Sequence, residues 1–485
     1  LKGSHLEFVS DAVHGSYNGT VSADASAIEG TWSQGKPLPL SFKRAAAASD
    51  IDGYWLGTLD AGGTKLRVAF RITNTPEGLH ATLDSLDQGA SGIPVSSIVR
   101  DGAQLRMEVK AVSGAFSGTV SKDVTSIDGT WKQGGAPLPL LLKKTKEEAA
   151  EKYPKTRPQD PVKPYPYREE EVSYTNKAAP GVTLAATLTL PQGKGPFPAV
   201  VLITGSGPQN RDEEIMGHRP FLILSDYLTR RGIAVLRADD RGIGKSTGDF
   251  ASGTTADFAT DAEAGLAYLK SRPEINPREI GLVGHSEGAV IAPMVAARNA
   301  NVAFIVMLAG TGVPGDQIIA EQTRLIAIAN HATPEAAQAE ADQQRELLQL
   351  VREEKDSSAL EAKVKEKLAK RMGEAQAGMA IKQLNSPWLR YFIDYDPAPA
   401  LRRLSCPVLV LNGEKDLQVS PKQNLPPVRK ALEEGGNKHF EIEELPGLNH
   451  LFQTAHTGSP LEYSKIQETM SPVALEKIAN WIASQ

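Results

Sequence analysis

Five residues, Gly284-His285-Ser286-Glu287-Gly288, carry the strongest chemical signal in the sequence. They fit the pattern G-x-S-x-G, with an apolar strand candidate ending at Val283 and a helical run starting near Ala289. A strand that turns sharply into a helix forces its central residue into strained φ/ψ, and flanking glycines remove side chains that would clash. The turn lifts the Ser286 hydroxyl above the strand ends, beside the unpaired N–H groups of a helix start. The alternative is a glycine-rich turn with an incidental serine. The strand before and the helix after favour a nucleophile.

A serine hydroxyl is a poor nucleophile at neutral pH and needs a base, itself oriented by a carboxylate. Four histidines follow Ser286: His331, His439, His450 and His456. His331 lies in a charged helical segment, and His439 opens a strand candidate, Phe440 to Leu445. His450 follows that strand in the loop Pro446-Gly447-Leu448-Asn449 and is preferred over His456, six residues further on. The acid is expected after the preceding strand candidate, Val408 to Leu411, where Asn412-Gly413-Glu414-Lys415-Asp416 offers two carboxylates. Asp416, beyond the turn and anchored by Leu417-Gln418-Val419, is preferred over Glu414.

Acyl transfer also needs two backbone donors for an oxyanion, one after the nucleophile and one in a loop after an earlier strand. Glu287 supplies the first N–H, and its side chain reads as a carboxylate at a helix N-terminus. The second is assigned to Ser206, in the loop from Thr204 to Asp212 that follows the strand candidate Val200 to Ile203. Arg211 and Asp212 are expected to pair and hold that loop.

The elements that must position these groups alternate. Apolar, β-branched runs at Ala199–Ile203, Ile233–Arg237, Ile280–Val283, Val302–Leu308 and Val408–Leu411 are separated by helical stretches such as Arg219–Arg230 and Thr255–Lys270. That rhythm predicts an α/β architecture, a doubly wound, mostly parallel sheet with helices on both faces and a last helix at Ala474–Ile482. From Gly315 to about Pro399 the rhythm breaks into charged helix, with Thr333-Pro334-Glu335 as a helix start and Leu360, Val364 and Leu368 as one apolar face. This segment reads as a cap over the sheet. Its Trp388, Tyr391 and Phe392 are candidates for contact with the substrate.

Upstream, Gly15 to Trp32 (GSYNGTVSADASAIEGTW) repeats at Gly114 to Trp131 (GAFSGTVSKDVTSIDGTW), an offset of 99. Short alternating segments between Gly, Asn and Asp turns predict antiparallel hairpins, with one complete module and a partial one. Residues 145–168 are charged and then proline-rich, a linker or a strap over a neighbouring domain. The expected domains are 1–144, an antiparallel β region; 145–168, the tether; and 169–485, the catalytic region with its cap at 315–399.

Composition narrows the partners. With 53 Lys plus Arg against 58 Asp plus Glu, the net charge of −5 gives no field suited to nucleic acid. The longest apolar run, Val302–Ala309, is far short of the ~20 residues of a membrane span. The single cysteine, Cys406, permits no intrachain disulfide. Neither H-E-x-x-H nor a Cys/His cluster occurs, so no metal and no cofactor are expected. Gly244-Lys245-Ser246 ends like a phosphate-binding loop, but Asp239 stands where its first glycine belongs. The start at Leu1 without Met suggests an exported chain with its leader removed, periplasmic or secreted, and otherwise a cytoplasmic one; a homodimer is left open.

From about Glu171 onward the chain resembles the bacterial α/β-hydrolase esterases, near the lysophospholipase-like and dienelactone-hydrolase-like groups. The motifs are GSGPQNRDE at Gly205, ADDRGIGKSTG at Ala238, GLVGHSEGA at Gly281, CPVLVLNGEKDLQV at Cys406 and LPGLNHLFQ at Leu445. The resemblance implies a triad of Ser286, Asp416 and His450 and hydrolysis of a small carboxylic ester without a cofactor. Thr204-Gly205 departs from the His-Gly of many relatives. The N-terminal repeats resemble small lipocalin-like barrels. A serine peptidase of the oligopeptidase or acylaminoacyl type is the enzyme alternative, although some 145 residues of hairpins cannot make the usual propeller. A carbohydrate or cell-surface binding protein with a vestigial hydrolase is the alternative of another class.

Overall fold

The computed structural model describes residues 3–485 except 11–14, 35, 44–47, 62–63, 77, 87–89, 113, 134–136, 147–156 and 373–383. The chain forms two compact units, 1–152 and 153–485. In the first, four strands between His5 and Lys43 pair in sequence order. Nine more between Gly53 and Thr145 form one antiparallel sheet in which consecutive strands pair, except Ala90–Pro94 and Ser97–Asp101, which are its edges, and the first strand, Gly53–Ala61, pairs with the last, Leu138–Thr145. The sheet therefore wraps round on itself, with Phe70 packed on Phe116 and Trp131 inside. The repeated sequence folds alike in both copies: Tyr17 stands opposite Trp32, as Phe116 stands opposite Trp131.

The second unit holds an eight-stranded sheet. Its strands are β1 (Arg168–Thr175), β2 (Thr183–Leu190), β3 (Phe197–Ile203), β4 (Ala234–Ala238), β5 (Ile275–His285), β6 (Ile305–Leu308), β7 (Val408–Gly413) and β8 (Phe440–Leu445). Their order is β1-β2-β4-β3-β5-β6-β7-β8. β2 runs antiparallel to both neighbours, and every pair from β4 to β8 is parallel. β1 and β2 extend the sheet beyond the strands expected from apolar runs. β1, REEEVSYT, is an edge strand with a largely solvated face and has no apolar run to mark it.

Alternation along β3 shows why helices flank the sheet. Ala199, Val201 and Ile203 pack with α2 (Thr255–Lys270) and α3 (Gly288–Ala296), whereas Val200 and Leu202 pack with α1 (Pro220–Thr229) and the C-terminal helix Pro472–Ala483. Between β6 and β7 the chain leaves the sheet for a helical excursion: α4 (Gly315–Ala329), α5 (Pro334–Glu353), α6 (Ser357–Met372) and α7 (Pro387–Asp394). Thr333 caps α5, its hydroxyl accepting the Ala336 N–H at 3.2 Å. Leu360 and Val364 bury against Leu347, Leu348 and Val351. The side chain of Leu368, expected on the same face, lies outside the described residues.

The proline-rich tether divides. Residues 147–156 lie outside the described part, whereas 157–167 belong to the second unit and strap its surface. Arg157, only 4% exposed, donates to the carbonyls of Met216, Ser464 and Ile466 at 2.9, 3.2 and 3.0 Å. Gln159 donates to the Met470 carbonyl at 2.7 Å, and Asp160 pairs with Arg219. These carbonyls belong to irregular backbone that has no ladder partners, so a single guanidinium satisfies what regular structure does not. Arg157→Met should lower the stability of the hydrolase unit by about 1–3 kcal/mol, the cost of leaving buried acceptors without a donor. The measurement is the denaturant midpoint of the full chain, followed by near-UV circular dichroism.

Candidate active site

Ser286 occupies the left-handed region at φ 52°. A non-glycine residue held there stores about 1–3 kcal/mol of strain. The turn persists because its neighbours leave no other path. A Cβ on Gly284 would lie 2.0 Å from the Gly288 carbonyl oxygen, and one on Gly288 would lie 2.0 Å from that of Ile203. The Ser286 N–H donates to the Leu308 carbonyl at the end of β6, at 2.8 Å. The serine thus stands at the C-terminal edge of the parallel strands, at the start of α3.

His450 and Asp416 meet on loops after β8 and β7. His450 Nδ1 lies 2.8 Å from Asp416 Oδ2. Asp416 Oδ1 accepts the N–H groups of Gln418 and Val419, each at 2.8 Å, and Asn412 Nδ2 donates to Oδ2 at 3.2 Å. A carboxylate so surrounded only accepts, so Nδ1 of His450 carries the proton and Nε2 is left basic. Asp416 is 1% exposed, because the loop folds under its own backbone donors. Glu414 is exposed and accepts the Gly447 N–H at 2.7 Å, while His331, His439 and His456 are all exposed. Ser286, His450, Ser206 and Glu287 line one cavity of about 450 Å³. No hydrogen bond joins Ser286 Oγ to His450.

The loop after β3 that carries Ser206 is held by two acids, buried Glu213 and half-buried Asp240. Thr204 Oγ1 and the Gln209 N–H donate to Asp240, both at 2.8 Å, and the Gly205 N–H donates to Glu213 at 2.7 Å. Among the described residues, neither the Ser206 nor the Glu287 N–H has a protein acceptor, so both are available to an oxygen in the cavity. Arg211 and Asp212 do not pair with each other as expected. Arg211 binds Asp239 at 2.7 Å and Asp212 binds Arg237 at 2.8 Å, because these consecutive side chains each reach β4 and its C-terminal end by separate routes.

Two further side chains escaped the sequence reading. His285 Nε2 donates to the His450 carbonyl at 2.9 Å, and Nδ1 lies 2.9 Å from the same Glu213 oxygen that accepts from Gly205. Burial alone would lower the His285 pKa, but the charge and hydrogen bond of Glu213, with the His450 carbonyl, outweigh it and leave the pKa raised. This buried pair joins the loop of the base to the loop of the oxyanion. The Glu287 side chain does more than face a helix dipole. It is 3% exposed and accepts from Thr255 Oγ1 at 2.6 Å and from Trp388 Nε1 at 2.7 Å. Burial pushes its pKa up against those hydrogen bonds.

Of the cap residues singled out, Trp388 and Phe392 line the cavity, stacked on each other at 5.1 Å. Tyr391 does not line it. Helical geometry turns it off the face shared by Trp388, Leu389 and Phe392, and its ring stacks on Tyr395 at 5.7 Å. Ile318, Leu347 and Leu384 complete the apolar wall, and Gln322 and Gln344 add amides. Their helices carry no motif that would have marked them. Among the described residues no cluster of His, Cys, Asp or Glu could hold a metal, and no helix is long and apolar enough to cross a membrane.

Residues 180–443, more than half of the chain, match the family described as X-Pro dipeptidyl-peptidase (S15 family). Esterase EstD of Thermotoga maritima is 28% identical over 329 residues, which cover 67% of this chain and 69% of the relative. Among solved structures, the Pyrococcus furiosus esterase Pf2001 aligns with 17% identity and a TM-score of 0.40 over 66% of this chain and 91% of that one. Est1E of Butyrivibrio proteoclasticus, solved with ferulic acid, aligns with 17% identity and a TM-score of 0.38 over 65% and 98%.

Asp416→Asn should lower kcat by ~10⁴, because an amide can hold the imidazole in the wrong tautomer and cannot balance its positive charge. Glu414→Gln should cost less than about tenfold, since it touches only a loop N–H, and surface changes usually stay within ~0.5 kcal/mol. Turnover of both variants, with circular dichroism to confirm folding, checks the pair; a crippled Glu414→Gln beside an active Asp416→Asn would move the acid to Glu414.

Proposed function

The chain belongs to the X-Pro dipeptidyl-peptidase (S15) family, and from that premise we propose that this α/β-hydrolase is a serine carboxylesterase. The observation that carries the reading is one cavity onto which Ser286, the His450–Asp416 pair and two unpaired N–H groups all open. Ser286 Oγ attacks the ester carbonyl while His450 Nε2 takes its proton. The resulting imidazolium is balanced by Asp416 and returns the proton to the leaving alkoxide. The N–H groups of Ser206 and Glu287 hold the oxyanion, and water releases the acyl group through the same histidine.

Two features favour an ester over an N-terminal dipeptide. An enzyme that counts residues from a free N-terminus needs an anion for the α-ammonium. Among the described residues, the two carboxylates that line the cavity are already engaged, Glu213 with His285 and Gly205, and Glu287 with Thr255 and Trp388. The rest of that wall is mostly apolar side chains, with amides, hydroxyls and the two imidazoles, and suits an uncharged acyl group. The family match favours the peptidase as the second reading. Three groups placed for one reaction argue against a vestigial site.

On p-nitrophenyl esters, kcat/KM should rise from acetate to hexanoate by up to about fourfold per methylene, the value of ~0.8 kcal/mol per buried CH₂. An X-Pro p-nitroanilide should be cleaved at least about a hundredfold less efficiently, since no free anion receives its ammonium. Equal efficiency on the anilide would establish the peptidase reading in place of the esterase.

A further inference from the structure

Glu287 joins three parts of the catalytic unit that the serine-hydrolase reading treats separately. Its N–H is one oxyanion donor, beside the nucleophile. Its carboxylate accepts from Thr255 at the start of α2 and from the Trp388 indole in the cap helix α7, at 2.6 and 2.7 Å. The hydroxyl of Ser206, whose N–H is the other oxyanion donor, also reaches this carboxylate, and its hydrogen bond opposes the larger upward push of burial on the Glu287 pKa. Among the described residues no cation contacts this group, so the neutral donors keep it in place. Removing one leaves a buried acceptor unmet, so the position of the side chain depends on the donors that remain. The indole N–H spans from the cap to the catalytic core, and the same ring forms a wall of the cavity.

We propose that Glu287 is a positioning residue that ties the seating of the cap helix to the geometry of the oxyanion hole. The proposal rests on the serine-hydrolase reading. With Trp388 seated, Glu287 and Ser206 are drawn together and their N–H groups converge on one point. With the indole displaced, the carboxylate loses its cap-side anchor and the two donors separate. Turnover, rather than binding, then registers how the cap sits.

The discriminating substrate is p-nitrophenyl acetate, whose acyl group is too short to need the cap wall. Trp388→Phe keeps an aromatic ring to stack on Phe392 and removes the indole N–H. Its kcat on acetate should fall about tenfold, part of the ~10²–10³ lost when an oxyanion donor is removed outright, with KM changed less than about twofold. Glu287→Met, which removes both acceptor oxygens and keeps the backbone N–H, should fall comparably, and the double variant should be no worse than about twofold below the lower single, since both cut one linkage. Thermal unfolding confirms that each variant is folded. A Trp388 that merely lines the cavity would leave acetate untouched and change only KM for longer esters. Wild-type kcat for Trp388→Phe on acetate, or losses that multiply in the double variant, would overturn the proposal. If the wild type cleaves the X-Pro anilide and no ester, the esterase reading fails alone, and the same variants on the anilide decide the coupling, because that reaction also passes through an oxyanion. A wild type inactive on both substrates overturns both.

Discussion

The catalytic unit is organised around one strained residue. Ser286 is held at φ 52° where β5 becomes α3, and it stays there because Gly284 and Gly288 let three stretches of backbone approach within distances no side chain would permit. The parallel ladder on both sides of β5 supplies the rigidity. The Ser286 N–H bonded to Leu308 ties the turn to the next strand. A flexible loop would relax the serine into an ordinary conformation, with its hydroxyl away from the helix start and its neighbour's N–H turned from the cavity. The strain is small beside the core that opposes it, since β3, β5, β6 and β7 are buried on both faces.

Around that turn, buried carboxylates act as acceptors that shape loops. Asp416 bonds His450, Glu213 and the half-buried Asp240 hold the loop after β3, and Glu287 reaches the cap. Each is satisfied by backbone N–H groups, hydroxyls, an indole or His285, which is how acidic groups persist in a largely apolar interior. Arg157 does the converse, satisfying part-buried carbonyls of the backbone with one cation. The loops carry the chemistry, and buried polar side chains give them the order that hydrogen-bonded ladders give the strands.

Much of this was legible from residue types. The parallel strands show as apolar β-branched runs, and the elbow shows as glycines around a serine, because steric demand there admits few alternatives. The choice of Asp416 over Glu414 followed from position in the loop, and the structure puts the first against His450 and leaves the second at the surface. What stayed hidden has a common cause. Edge strand β1 buries only one face and so lacks the apolar run. The links Glu287–Trp388 and His285–Glu213 join residues 101 and 72 positions apart, and no local pattern encodes such pairs. Tyr391 was misplaced on the cavity because aromatic type was read without the helical phase that separates it from Trp388 and Phe392.

The proposed reaction turns on a covalent bond between Ser286 and the acyl group. Its most direct measurement is intact-protein and peptide mass spectrometry of the full chain after reaction with an alkyl p-nitrophenyl phosphonate, which stalls at the phosphonyl-enzyme. The predicted result is one adduct per chain, on the peptide containing Ser286, formed in step with loss of esterase activity and absent from Ser286→Ala. Stoichiometric inactivation with the adduct on another residue, or ester hydrolysis undiminished in Ser286→Ala, would contradict it.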